Sequence, residues 1–336
     1  MNRILRFHLL ILILILIPLR GFCDVEDKDI GGIVNSVGEV IKSKYVFPEV
    51  AEEIAALIMK KYEDGLYNGL TSKKELAKRL TKDIRLVNED KHLTVIFNPK
   101  RVSQIKEIEL EPDSNDGDLP SEMLDFMRKE NYGFKEIKIL DGNIGYLDLR
   151  VFEETRWAGD TAVAAMNFLA NTDSIIIDLR NNGGGAPSMI QLISSYFFEG
   201  DPVHLNDFYW RESNKTTQTW TLPYISGERD AEKDLYILTG EKTFSAAEEF
   251  TYNLKHLERA TIVGQRTGGG AHPGGLEVVT DEFLVWTPSG RAINPITGTN
   301  WEGVGVTPDV EVSEKNALSK AIELAITKTS KTPPSD

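Results

Sequence analysis

Three short apolar runs, residues 175–179, 234–239 and 260–264, limit what this chain can fold into more than any other feature. Each is too short for a buried helix and reads as a strand covered on both faces. Helical stretches at about 188–198 and 245–257 follow the first two. Strand and helix therefore alternate, which is the pattern of an α/β layer architecture. The first run ends in Asn181-Asn182-Gly183-Gly184-Gly185, and the third leads into a second triple glycine, Gly268-Gly269-Gly270.

The flanking sequence has other periods. Ile30, Ile33, Val34, Val37 and Ile41, then Val50, Ile54 and Ile58, then Leu76, Leu80 and Ile84 recur at helical spacing. Three amphipathic helices follow, with Pro48 in the first turn of the second and Ser72 with Glu75 as a capping box on the third. They define an N-terminal helical domain over residues 24–98, which ends in a strand at 93–97. Residues 99–135 are charged and weakly periodic, with Asp113, Asn115, Asp116, Gly117 and Asp118 clustered, and read as a linker. A hairpin about Asp141-Gly142 opens the core, 136–328, which closes with short strands at 283–287 and 310–312 and a helix at 318–326. Residues 329–336 read as a disordered tail.

Residues 1–23 read as a signal peptide: a basic start at Arg3 and Arg6, an apolar run over 9–18, and small residues Gly21 and Cys23 before a cut at Asp24. The expected location is exported, periplasmic or secreted, with no stable membrane span in the mature chain. Cys23 is the only cysteine, so cleavage after it removes disulfides, cysteine zinc sites and a thiol nucleophile from the mature protein. Hydrophobic residues at 41% and charged residues at 27% of 336 fit a folded globular chain. A formal charge of −14 argues against a nucleic-acid partner, because phosphate binding draws on clustered Lys and Arg. No metal-ligand spacing, phosphate loop or dinucleotide fingerprint appears, so neither metal nor cofactor is expected.

Ser245 stands where a buried strand gives way to a helix. Unpaired amides and the positive end of the helix dipole would stabilise an oxyanion beside it. The same residue also suits a plain N-cap, with Glu248 completing a capping box. The paired carboxylates Glu248-Glu249 read as caps or a solvated face. A serine nucleophile needs a base, and of His92, His204, His256 and His272 only His92, beside a strand, and His272, in the second glycine loop, suggest themselves. Spacing does not choose between them.

The segments Ile176-Ile177-Asp178-Leu179-Arg180-Asn181-Asn182-Gly183-Gly184-Gly185, Thr243-Phe244-Ser245-Ala246-Ala247-Glu248-Glu249-Phe250 and Thr267-Gly268-Gly269-Gly270-Ala271-His272-Pro273 resemble the tail-specific (C-terminal processing) serine protease family. Asn294 through Asp309, with Trp301-Glu302-Gly303, is similar to the branch holding the modules of interphotoreceptor retinoid-binding protein. The resemblance implies a ClpP/crotonase-like core behind a small N-terminal helical domain, here without a PDZ domain. It places the nucleophile on Ser245 and the oxyanion donors on the amides of Ala246 and Gly184, with Gly183 adjacent in alignment. Ser-Lys members carry a lysine in the loop corresponding to residues 268–271, which has none. Tricorn-like members use a histidine and a glutamate resembling His92 and Glu302, linked by a serine whose place Lys91 takes. His272 is the alternative base.

Two functions follow as expectations. The first is a serine-type peptidase that cleaves peptide or protein substrates through a Ser245 acyl-enzyme. The second is a non-catalytic carrier of apolar ligands such as retinoids or fatty acids.

Overall fold

The computed structural model describes residues 27–70, 72–110 and 119–329. The signal-peptide reading of residues 1–23, the acidic cluster 113–118 and most of the predicted tail lie outside them. No described helix is long and apolar enough to cross a membrane.

The chain opens with α1 (Asp27–Lys44), α2 (Pro48–Glu63) and α3 (Lys73–Ile84). Pro48 starts α2, and the Ser72 hydroxyl accepts the Glu75 amide at 3.2 Å to cap α3. The predicted stripe residues Val34, Val37, Ile41, Ile54, Ile58, Leu76 and Leu80 are all fully buried together. This cluster is not closed by helices alone. It also takes in Val95 from β1 (Thr94–Phe97) and Phe283 and Val285 from a strand almost two hundred residues later.

The stretch predicted as a linker carries regular structure instead. Helices α4 (Pro99–Leu110) and α5 (Ser121–Lys129) lie in it, the first opened by Asn98, whose Oδ1 accepts the Arg101 amide at 3.0 Å. Only Val102 and Met127 of these helices are buried among the described side chains.

The core sheet begins with the hairpin β2 (Phe134–Leu140) and β3 (Ile144–Leu149). Then come α6 (Thr155–Phe168), β4 (Ser174–Asp178), α7 (Pro187–Ser194), the hairpin β5 (His204–Trp210) and β6 (Lys215–Trp220), β7 (Asp234–Thr239), α8 (Ala246–His256) and β8 (Thr261–Gly264). The last described elements are β9 (Gly274–Val278), β10 (Phe283–Pro288), β11 (Gly290–Ile293), β12 (Val310–Glu311) and α9 (Ala317–Thr329). Six strands form the main sheet in the order β12-β8-β7-β4-β3-β2, parallel except for β2.

Alternation within the strands sorts the sheet's two faces. Ile175, Ile177, Leu235 and Ile237 pack with α6, α7 and α8, whereas Ile176, Tyr236 and Leu238 pack with α9. Burying each such side chain contributes about 1.5–3 kcal/mol. On the second face Ala317, Ala321 and Ala325, four residues apart, bring α9 close to the strands. Asp178, the last residue of β4, sits under a fork from Arg180 and a 2.8 Å bond from the Tyr146 hydroxyl. That clamp fixes where the first glycine loop begins.

A second sheet, β1-β10-β9, joins the helical region to the core. Thr94 lies opposite Trp286 and Phe97 opposite Phe283, while β9 begins two residues after His272. Pairing of β1 with β10 therefore draws Asp90 and His92 up to the second glycine loop. A third sheet, β11-β5-β6, packs beside them.

Candidate active site

Ser245 ends the turn between β7 and α8 with φ 55° and ψ −122°. A non-glycine residue so placed costs on the order of 1–3 kcal/mol, and other hydrolase serines stand on similarly strained strand-to-helix turns. The strain is held from several sides. The Phe244 amide donates to the Asn182 carbonyl (3.0 Å), Thr243 Oγ1 donates to the Leu179 carbonyl (2.8 Å), and the Ser245 amide donates to Glu248 Oε2 (2.9 Å). The Ser245 carbonyl accepts from the amides of Glu248 and Glu249, which starts the helix directly behind it.

The first glycine loop lies against this turn. Gly184 has φ +116°, and a Cβ on it would fall 2.8 Å from Ser245 Cβ and 3.1 Å from the Ala246 nitrogen. Only glycine permits that approach. The Gly184 amide, expected to face an oxyanion, donates instead to Asn182 Oδ1 at 2.9 Å. Asn182 is fully buried and fixed by a 3.0 Å bond from its Nδ2 to the Leu149 carbonyl, so its oxygen is positioned to take that amide. The amides of Gly183 and Ala246 have no acceptor among the described residues.

Glu248 and Glu249, read from sequence as caps or a solvated face, are both buried. The capping part holds and the solvated part does not. Glu248 accepts the Ser245 amide, Thr267 Oγ1 (2.5 Å) and the amides of Gly269 (2.6 Å) and Gly270 (2.8 Å), tying the second glycine loop to the serine turn. Burial pushes its carboxyl up to about 6 against the pull of these bonds, and burial lifts Glu249 to about 8.

The second glycine loop admits His92. A Cβ on Gly270 would fall 2.2 Å from the Phe244 ring and 2.8 Å from His92 Cε1. The His92 ring packs on Phe244, the neighbour of Ser245, at 4.7 Å between centroids. Burial lowers its pKa below the ordinary 6.5.

His272 sits behind, 4% exposed, with Nδ1 2.8 Å from Asp90 Oδ2 and 3.5 Å from Glu302 Oε2. It contacts Asp90, Glu302 and Phe47, none of them on the serine turn. Glu302 accepts the Ala271 amide at 2.6 Å, and burial, then the Asp90 charge, pushes its carboxyl up to about 7. Asp90 also accepts the Tyr45 hydroxyl (3.1 Å) and the His92 amide (3.0 Å). Burial opposes its charge, yet His272 and His92 hold it below the ordinary carboxylate value. Lys91 reaches outward to the Gly268 carbonyl and links nothing in the cluster.

Ser245, Ala246, Gly184, His92, Glu302 and His272 thus come together from five stretches of sequence. The other two histidines do not: His204 pairs with Asp207 and stacks on Trp220, and His256 packs on Tyr252. Sequence reasoning gave no role to Asp90 or Asn182, and only a capping role to Glu248. For Asp90 the one available signal was its place two residues before His92.

The profile of peptidase family S41 matches residues 143–312, half of the chain, and that of the N-terminal domain of peptidase S41 in eukaryotic IRBP matches residues 27–128. The chain belongs to peptidase family S41. This S41 chain is 26% identical over 255 residues to a probable CtpA-like serine protease of Staphylococcus haemolyticus, covering 74% of this chain and 46% of that one. It is 28% identical over 189 residues to a carboxy-terminal-processing protease of Bartonella bacilliformis, covering 52% and 40%. The chain therefore spans less than half the length of these curated relatives. Among solved structures, a lipoprotein from Streptococcus agalactiae superposes with a TM-score of 0.56 at 16% identity, covering 89% of this chain and 96% of that one. The tricorn protease does so at 0.58 and 15%, covering 91% and 37%. Both likenesses concern the fold.

Proposed function

We propose that this S41 chain is a serine-type peptidase that cleaves peptide or protein substrates through an acyl-enzyme on Ser245. The observation that carries the reading is the strained, positive-φ serine pressed against Gly184, with a half-buried histidine packed on the adjacent Phe244. His92 takes the hydroxyl proton as Ser245 attacks the scissile carbonyl, and returns it to the departing amine. The Ala246 amide and an amide of the first glycine loop, with Gly183 uncommitted, receive the oxyanion. Glu302 and Asp90 supply negative charge near the imidazolium. Water then clears the acyl group, and His92 repeats its part. His272, bound to Asp90, positions the carboxylates rather than the serine. The leader-like start of the sequence supports action after export, in a periplasm or outside the cell.

Cleavage of an unfolded protein substrate, followed by the appearance of new amino termini, tests the reading. Wild type should cut and Ser245→Ala should not; equal cutting by both would refute it.

A second reading, carriage of an apolar ligand, draws on a different place. A groove of about 520 Å³ between α6 and the β2–β3 hairpin is lined by Phe134, Ile137, Leu147, Ala165 and Phe168. Retinol or a fatty acid should quench or displace a fluorescent probe there at micromolar concentration; no binding removes this reading.

A further inference from the structure

We infer that Asp90, His92 and Glu302 form a binding site for a transition-metal dication such as Zn²⁺, and that the metal shuts the enzyme off. One ligand atom from each lies within 4.8 Å of the other two. The three come from the turn before β1 and the loop after β11, which meet because β1 pairs with β10 and Gly270 leaves room for the imidazole. No ligand spacing in the sequence announces them.

Two orphaned atoms point to what belongs there. His92 Nδ1 and Glu302 Oε1 are both buried and have no hydrogen-bond partner. A neutral imidazole nitrogen with its lone pair free and a carboxylate oxygen are both acceptors, and leaving such atoms buried and unmet costs about 1–3 kcal/mol each. A cation answers both at once. In Zn²⁺ sites with bonds of about 2.0–2.1 Å, neighbouring ligand atoms stand roughly 3.4 Å apart, so binding would draw the three donors together from within 4.8 Å.

The surroundings resemble a prepared ligand shell. Asp90 is fully buried and oriented by the Tyr45 hydroxyl, His272 Nδ1 and the His92 amide, three accepted bonds that leave one of its lone pairs for a metal. Glu302 Oε2 is fixed by the Ala271 amide, which turns Oε1 into the free donor. Partners of this kind behind the ligands set their orientation and affinity. One imidazole and two carboxylates suit Zn²⁺ and its first-row neighbours better than the all-oxygen shells of Ca²⁺ or Mg²⁺, and a fourth position remains for water.

The consequence for turnover rests on the His92 base proposed above; the binding does not. Once a ring nitrogen gives its lone pair to the metal, the other carries the proton and cannot accept one from Ser245. Zn²⁺ and catalysis thus compete for one imidazole.

The experiment is calorimetric titration of the purified chain with ZnCl₂, and with MgCl₂ as control, beside fluorophosphonate labelling. Wild type and Ser245→Ala should bind one Zn²⁺ with equal affinity, Mg²⁺ should not bind, and Glu302→Gln and His92→Gln should each bind at least ~10-fold more weakly. Zn²⁺ should also stop labelling of wild type, with restoration by chelator. No stoichiometric Zn²⁺ binding by wild type, or unchanged binding by His92→Gln, overturns the inference. Should Glu302→Gln fail to fold, His92→Gln carries the same comparison. If Zn²⁺ binds as described while metal-free wild type never labels, the metal site stands and the peptidase reading falls.

Discussion

Gly184→Ala tests how tightly the two halves of the site are fitted. The new Cβ would lie 2.8 Å from Ser245 Cβ and 3.1 Å from both the Ala246 nitrogen and the Phe244 carbonyl oxygen, and the backbone there has φ +116°. Two of these three atoms are backbone, so they cannot swing aside. Holding alanine at that φ costs about 1–3 kcal/mol, and forcing extra volume into a packed site about 1–3 kcal/mol more. At roughly 2–4 °C per kcal/mol for a chain of this size, Tm should fall by on the order of 10 °C. Relief by movement of Ser245 would misplace the hydroxyl, and a shift near 1 Å is worth roughly a hundredfold in rate. Gly183→Ala is the control, because nothing lies within 4 Å of its Cβ position and its φ is not in the positive range. Differential scanning fluorimetry and the rate of fluorophosphonate labelling read both effects. If Gly184→Ala matches Gly183→Ala in Tm and in labelling rate, the close approach does not exist and the reasoning fails.

Other consequences follow from the buried ionisable groups. Burial holds the Glu249 carboxyl at about 8 against 4.5 for an exposed glutamate, so the folded chain keeps a proton that the unfolded chain gives up. Its stabilising effect is complete below pH 4.5 and is lost as pH rises through 8, a loss of roughly 5 kcal/mol at ~1.4 kcal/mol per pH unit. Glu249→Gln should therefore gain on wild type between pH 5 and pH 8.5 in urea unfolding; parallel curves would contradict the burial argument. Burial also lowers the pKa of His92 below 6.5, which keeps it unprotonated and able to accept a proton in mildly acidic solution. The acid limb of the labelling rate should have its midpoint below pH 6.5, and a midpoint at or above that value would speak against His92 as the base.

Local signals in the sequence traced most of the main sheet, whereas Ser245 read locally as a cap as readily as a nucleophile and was singled out by resemblance. Residues 234–239 are strand β7 as read, and 175–179 and 260–264 lie within a residue of β4 and β8, because a run buried on both faces leaves an unbroken apolar signature. Helix α6 gave no such sign, since its buried face is mostly alanine, Ala158, Ala162 and Ala165, and alanine contributes little to an apolar period. The hairpin of β5 and β6 was equally silent, with exposed Lys215, Thr216, Thr217 and Gln218 along one strand. The catalytic neighbourhood was legible only in pieces. His92 and His272 meet through the pairing of Thr94 with Trp286, a contact that no local period encodes. Glu248 looked solvated because acidic residues in a first helical turn usually are, and only the glycine loop folded over it shows otherwise.

The account depends on a hydroxyl at position 245 made reactive by the imidazole at position 92. Intact-mass and peptide-mapping mass spectrometry after treatment with a fluorophosphonate measures that directly. One adduct is expected, on Ser245, absent in Ser245→Ala and at least ~100-fold slower in His92→Gln, the scale at which a positioned general base contributes. A wild-type chain that takes no adduct, takes it on another serine, or reacts as fast without His92 would contradict the account.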